Sequence, residues 1–183
     1  MSDLTFRAML FAREVHQAQV RKYTGNPYTD HLAEVAGIVA SVGGDERSIA
    51  VAWLHDCIED QGIASFELTS HFGQEVASGV LALSDLEVGN RAERKAASRE
   101  RLAKAPSWVQ TIKCADLISN TSSIVMHDPK FAVTYLEEKR LLLDVMAQAD
   151  PRLLALARYQ TSLRRCDRDV PSAKSVTGMK SIL

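Results

Sequence analysis

One six-residue run, His55-Asp56-Cys57-Ile58-Glu59-Asp60, limits what this chain can fold into more than any other stretch. It follows Ile49-Ala50-Val51-Ala52-Trp53-Leu54, which has no charge and no Gly or Pro. Such a stretch reads as a helix buried nearly all round. Five of the next six residues can bind a metal or move a proton, and three of them are carboxylates. If the helix continues, Glu59 stands one turn beyond His55 and Asp60 one turn beyond Asp56. Unpaired carboxylates are costly to bury, so this polar end has to open on a cation, a cleft or water. The alternative is an exposed acidic helix end, which the negative C-terminal dipole disfavours.

The rest of the chain must supply partners for that end. Its 183 residues are most simply one domain with a sizeable core. The formal net charge of −1 argues against a general nucleic-acid binder. No uncharged apolar run approaches the roughly 20 residues that span a bilayer, so no membrane association is expected. Met1-Ser2-Asp3-Leu4 lacks the basic-then-apolar layout of a signal peptide. Cys57, Cys114 and Cys166 are widely spaced and odd in number, which suggests reduced thiols in the cytoplasm. Cys57 and Cys114 read as small buried apolar residues.

The periodicity is helical almost throughout. Leu4 to about Gln19 places Phe6, Leu10 and Val15 near one face. Arg21 to Tyr28 carries Gly, Asn and Pro and reads as a loop. Thr29 or Asp30 can cap a helix holding His31, Val35, Ile38 and Val39. Gly43-Gly44 ends it, and Asp45 can cap the apolar helix that leads to His55. Ser65 begins a short helix through Phe72, Gly73 separates it from one over 74–83, and 85–91 is a loop. Residues 93–105 favour helix and are basic on much of their surface. Pro106 stops that helix and Ser107 can cap the next. Asp128-Pro129 and Asp150-Pro151 each pair a cap with a proline at the first helical position. They open helices to about Gln148 and Arg165. The Ser-, Lys-, Gly- and Pro-rich end of the chain reads as a flexible tail.

His31, near the start of its helix, and Asp116, an acid on an otherwise apolar helical face, are the candidates to join His55 and Asp56 at a metal. His31 also has a bland reading as a surface or satisfied histidine, whereas an acid such as Asp116 on an apolar face needs a partner. Two imidazoles and two carboxylates make a mixed N/O site suited to Mn, Fe or Zn. Such a site can lower the pKa of a bound water near neutral pH. Glu59 and Asp60 would then serve as the surrounding shell or as general base.

The order His31, His55-Asp56, Asp116 resembles the HD superfamily of metal-dependent phosphohydrolases. The fuller set is closer to one branch. Arg21-Lys22 with Gly25-x-Pro27-Tyr28-x-x-His31, His55-Asp56-x-x-Glu59-Asp60, and Lys113-x-Ala115-Asp116-x-x-x-Asn120 resemble the hydrolase domain of the RelA/SpoT alarmone enzymes. The likeness spans roughly residues 1–160, which leaves no room for a synthetase domain and suggests a stand-alone small alarmone hydrolase. The resemblance implies an all-α fold, a single HD-domain helical bundle of about eight to ten helices. Residues 1–165 would form the domain and 166–183 the tail.

It further implies that His31, His55, Asp56 and Asp116 hold one divalent ion, usually Mn²⁺. Glu59 and Asp60 would orient and deprotonate the attacking water. Arg21 and Lys22 would lie against the base, Asn120 would bond the ribose, and Arg94 and Lys95 would meet the pyrophosphate. Tyr135 and Lys139, four residues apart on one helical face, could close the pocket. The reaction would release the 3′-pyrophosphate of (p)ppGpp, with a small nucleotide as partner; the oligomeric state stays open. Leu117 and Ser119 depart from the family pattern, where a basic residue and an aromatic or His are usual. That opens base selectivity, so (p)ppApp stands beside the guanine alarmones. Two other functions remain: an HD nucleotidase releasing orthophosphate from 5′-nucleotides, and a non-catalytic alarmone-binding or antitoxin-like module.

Overall fold

The computed structural model describes residues 3–166. Among them the chain forms ten helices and no strand. In order they are α1 (Asp3–Val15), α2 (Tyr28–Ser41), α3 (Glu46–Leu54), α4 (Cys57–Gln61) and α5 (Ser65–Phe72). There follow α6 (Gln74–Leu83), α7 (Arg91–Ala103), α8 (Ser107–His127), α9 (Pro129–Val145) and α10 (Pro151–Cys166). The expected all-helical bundle is what the chain builds. The expected tail lies outside the described residues, apart from Cys166 at the end of α10.

Helix α3 is the axis of the bundle. It buries Ser48 and every residue from Ala50 to Leu54, and α1, α2, α6 and α8 all pack on it. Val51 and Leu54 are fully buried, each contributing about 1.5–3 kcal/mol relative to exposure. Helix α6 approaches closely because Gly79 has no side chain: a Cβ there would lie 2.4 Å from the Trp108 ring and 3.1 Å from Val51. Helix α8 covers the other side with Val109, Ile112, Ala115, Leu117 and Ile118.

Several chain ends fall where the capping residues point. Asp45 accepts from Ser48 N–H, and Asp128 accepts from Phe131 N–H ahead of Pro129. Asp150 accepts from Arg152 N–H at the start of α10. Elsewhere the helix starts shift. Helix α2 begins at Tyr28 and α8 at Ser107, so Thr29, Asp30 and Ser107 lie in first turns, with Pro27 and Pro106 before them and no side-chain cap. Helix α7 starts earlier, where Asn90 and Glu93 form a reciprocal capping box.

Two expectations are corrected. Helix α1 buries Thr5, Ala8 and Ala12, while Phe6 and Leu10 are each 48% exposed. Its contact with α3 is a close one, and small residues let the two backbones approach; the larger side chains stay on the flank. The second correction concerns the central helix, which does not run through to Asp60. It ends at Leu54, Asp56 takes φ −101° and ψ 0°, and a new helix starts at Cys57.

Candidate active site

The break after α3 sits opposite the start of α2 and the middle of α8. His31 and His55 are buried, with ring centroids 5.3 Å apart. Asp116 Oδ1 lies 3.5 Å from His31 Nε2 and 3.8 Å from His55 Nε2. Asp56 Oδ2 lies 3.0 Å from His55 Nε2 and 3.6 Å from His31 Nε2. Four side chains from three separated stretches of the sequence therefore converge on one point. His31, His55 and Asp116 each direct a ligand atom to within 4.8 Å of the others, close enough to share one ion.

The hydrogen bonds say which nitrogen faces that point. His55 Nδ1 meets the Ala52 carbonyl at 2.8 Å, and a carbonyl only accepts, so Nδ1 carries the proton. His31 Nδ1 meets Ser119 Oγ at 2.8 Å. Both Nε2 atoms are buried without a hydrogen-bond partner. Buried polar atoms are seldom left so, and two ring nitrogens beside two carboxylates suit a divalent cation.

Surrounding groups hold the carboxylates in place. Tyr28 donates its hydroxyl to Asp56 Oδ2 at 2.6 Å, and its ring lies 5.3 Å from His31 on one side and His16 on the other. Burial, reinforced by the Asp56 charge, pushes the Tyr28 hydroxyl well above its ordinary pKa, so it stays a donor. Lys113 pairs with Asp116 Oδ2 at 2.8 Å, and Asn120 donates to Asp116 Oδ1 at 2.5 Å. Burial alone would raise the Asp116 pKa, but the adjacent Lys113 charge is the largest of the effects that hold it far below the usual carboxylate range.

Glu59 and Asp60 lie on the rim beside this centre. Asp60 Oδ2 accepts from Gln19 Nε2 at 2.8 Å. Gln19 Oε1 in turn faces His16 Nδ1 at 2.5 Å and accepts from Gln61 at 2.6 Å. The Glu59 carboxylate turns to the loop after α6, where Asp85 N–H donates to it at 2.8 Å. Burial of that carboxyl end raises its pKa against the pull of the Asp85 N–H.

Arg21 reaches the site from a tight loop. A β-bridge joins Val20 to Pro27, and Gly25, at φ +74°, takes the left-handed turn that L residues disfavour. Arg21 donates to Asn120 Oδ1 at 2.8 Å and its guanidinium lies 5.9 Å from the Tyr28 ring centroid. Arg21, Lys22, Tyr23, Tyr28, Asn120 and Phe131 are among the residues lining a cavity of about 260 Å³ beside the four converging groups. A larger hollow of about 390 Å³, between the ends of α2, α8 and α9, contains none of the site residues.

On the other side of Asp116 the basic residues are partly committed. Lys95 pairs with Asp85 at 2.7 Å, and Asp85 also takes Ser98 and Arg101 at 2.7 Å. Arg94 is exposed and, among the described residues, makes no ion pair. Tyr135 is buried with its hydroxyl 3.3 Å from Thr121. Lys139 lies 5.0 Å over the Tyr135 ring and, among the described residues, pairs with no carboxylate. Burial first, then the like charges of Lys113 and Lys95, push Lys139 down to about 8.

Sequence reasoning thus found residues that the fold brings together: His31, His55, Asp56, Asp116, Arg21 and Asn120. It assigned no part to Tyr28, Lys113, Gln19, His16, Glu34 or Asp85. Lys113 had a legible signal, a charge three residues before a buried acid on one helix. The others depend on which elements face each other.

Comparison with known proteins agrees with this geometry. The sequence pattern of the HD domain matches residues 8–130. A probable guanosine-3′,5′-bis(diphosphate) 3′-pyrophosphohydrolase of Synechocystis is 35% identical over 133 residues, 69% of this chain but 17% of that protein. A GTP pyrophosphokinase of Myxococcus xanthus is 46% identical over 85 residues, 45% of this chain and 11% of that protein. The chain thus spans less than a fifth of either relative. Among solved structures, a metazoan ortholog of SpoT described as hydrolysing ppGpp superposes with a TM-score of 0.82 at 23% identity. That match covers 90% of this chain and 97% of the other, and shows that the two share a fold.

Proposed function

The chain belongs to the HD-domain family, and we propose that within it the protein is a cytoplasmic, Mn²⁺-dependent 3′-pyrophosphohydrolase of guanine or adenine alarmones. The observation that carries this reading is the pair of buried Nε2 atoms facing two carboxylates, beside a slot floored by an arginine. The resemblance of the curated relatives, one of them named for this reaction, supports it.

His31, His55, Asp56 and Asp116 would hold the ion. When bound, it would lower the pKa of a water and offset charge on phosphoryl oxygens. Glu59 and Asp60 would take the proton of the attacking water, with Gln19 keeping Asp60 turned toward it. The water oxygen bonds to the phosphorus attached at the ribose O3′, the P–O3′ bond breaks, and O3′ receives a proton as pyrophosphate departs. ppGpp would give GDP, and pppGpp GTP. Arg21 would stack on the purine face, and Lys22 would add charge at the mouth. Asn120, which bridges Arg21 and Asp116, would bond the ribose.

Lys139 supports an anion at this place. A half-buried ammonium without a carboxylate, crowded by two further lysines, is stabilised by any phosphate that arrives. Lys95 and Tyr135 would complete that wall, and Arg94 would steer the substrate from solvent.

The test is incubation of Mn²⁺-loaded protein with (p)ppGpp, (p)ppApp and simple 5′-monophosphates, with products separated by chromatography. Pyrophosphate and the nucleoside 5′-di- or triphosphate are expected, and D116A should lose ion and activity together. Orthophosphate from monophosphates would overturn the reading in favour of a nucleotidase. Alarmone binding without turnover would leave only a binding module.

A further inference from the structure

The two imidazoles reach the same tautomer by different routes. His55 is fixed by its own backbone, through the Ala52 carbonyl three residues earlier. His31 depends on side chains. Its Nδ1 lies 2.8 Å from Ser119 Oγ, and Ser119 Oγ donates to Glu34 Oε2 at 2.6 Å. A hydroxyl has one proton, and a carboxylate can only accept. Once that proton goes to Glu34, Ser119 Oγ has only lone pairs to offer the imidazole. His31 Nδ1 must then be the protonated nitrogen, and its Nε2 presents a lone pair toward Asp56 and Asp116.

We propose that Glu34, acting through Ser119, is the positioning device that sets His31 for ion binding. The inference rests on the reading of His31 as a metal ligand. Glu34 is three residues after His31 on α2, while Ser119 comes from α8, so the relay ties the two helices at the site. Ser119 is 4% exposed and His31 2%, so both ends of their contact are shielded from bulk solvent. Glu34 is exposed, on a polar cavity of about 190 Å³ that His31, Ser119, Ser122, Asp30 and Arg21 also line. The relay therefore runs from the buried imidazole to an exposed carboxylate. A change at Glu34 can reach the ion site without touching it.

Without the relay, the favoured alternative puts the proton on Nε2. There it faces two carboxylates at 3.5 and 3.6 Å. A cation must then displace that proton before it can bind. Partners of this kind typically change metal affinity 10- to 100-fold when removed.

The experiment uses the full chain in four variants: S119A, E34A, and the conservative S119T and E34Q. Long-range ¹H–¹⁵N spectra of the ion-free protein, with His31 assigned by its loss in H31N, read the tautomer directly. Titration calorimetry with Mn²⁺ reads affinity. S119A and E34A should move His31 toward the Nε2–H form and weaken Mn²⁺ by about 10- to 100-fold. S119T keeps the hydroxyl and E34Q keeps an acceptor oxygen, so both should stay within about threefold of wild type. A His31 that stays Nδ1–H in S119A and E34A, with Mn²⁺ affinity unchanged, overturns the relay. If wild-type protein takes no Mn²⁺, the reading of the ion site falls, while the ion-free spectra still decide for or against the relay.

Discussion

Replacing Lys113 by Met should destabilise the ion-free protein and enlarge the stabilisation that an ion confers. Lys113 and Asp116 are paired at 2.8 Å with side chains only 13% and 9% exposed. Burial works against the lysine charge, and Asp116 followed by Asp85 more than offsets it, raising the Lys113 pKa above its ordinary value. Removing one partner of a buried pair costs about 3–5 kcal/mol, because the other charge is left uncompensated. Asp116 retains the Asn120 amide on its other oxygen, so the lower end, about 3 kcal/mol, applies here. For a chain of this size that is a fall in Tm of about 6–12 °C. An ion that binds only the folded state adds back about 2.7 kcal/mol at a hundredfold excess over its Kd. In K113M it meets an Asp116 that no lysine neutralises, so the Mn²⁺-induced rise in Tm should exceed that of wild type. Thermal melts of both proteins, in chelator and in Mn²⁺, measure both quantities. A drop of less than about 2 °C in chelator, or equal Mn²⁺ shifts, would refute the electrostatic account of Asp116.

At the rim, E59Q and D60N should each cut turnover by about 10²- to 10⁴-fold while Mn²⁺ occupancy stays near wild type. Full rates in E59Q would remove that acid from proton transfer. Lys139, depressed to about 8, is charged below that pH and loses its charge as pH rises through it. KM for the alarmone should therefore climb by about tenfold as the charged fraction falls toward pH 9, and K139M should flatten the profile. The charge also costs folding stability below pH 8, a cost relieved as pH rises toward the unfolded-state pKa, so K139M should melt higher than wild type at pH 7. R21K keeps the charge but loses the planar face, and should weaken nucleotide binding about fivefold with little effect on Mn²⁺ affinity. Equal nucleotide affinity in R21K would mean that the base does not stack there.

The helices were legible wherever a local device sets their ends. Asp45, Asp128-Pro129 and Asp150-Pro151 act on the backbone within three residues of themselves, so tertiary context hardly alters them. The buried face of α1 was not legible. Phe6 and Leu10 are the more apolar residues, yet Ala8 and Ala12 are the ones that fit against α3. Size decided where hydrophobicity alone misled. The four converging side chains were legible chiefly through the ordered motif that resembles the HD family, since spacing alone does not bring His31 and Asp116 to His55 and Asp56. The residues that orient them were not. Gln19, Tyr28 and Glu34 are ordinary polar residues in sequence. They acquire a role only because α1, α2, α4 and α8 meet at one point.

The break between α3 and α4 is what brings the site together. Consecutive residues on a continuous helix project about 100° apart and do not face one another. Had α3 run on to Asp60, His55 and Asp56 could not both address one ion. The chain instead leaves the helix after Leu54 and restarts at Cys57, which is fully buried and anchors the new turn. Within that step His55 Nε2 and Asp56 Oδ2 come to 3.0 Å of each other. Tyr28, from the start of α2, holds Asp56 in this position. In this chain the two side chains of the His-Asp dipeptide come together because a buried helix is interrupted there between two anchored ends. The apolar run before His55 and the buried Cys57 after it supply those anchors. Their contribution to the site is as direct as that of the ligands themselves.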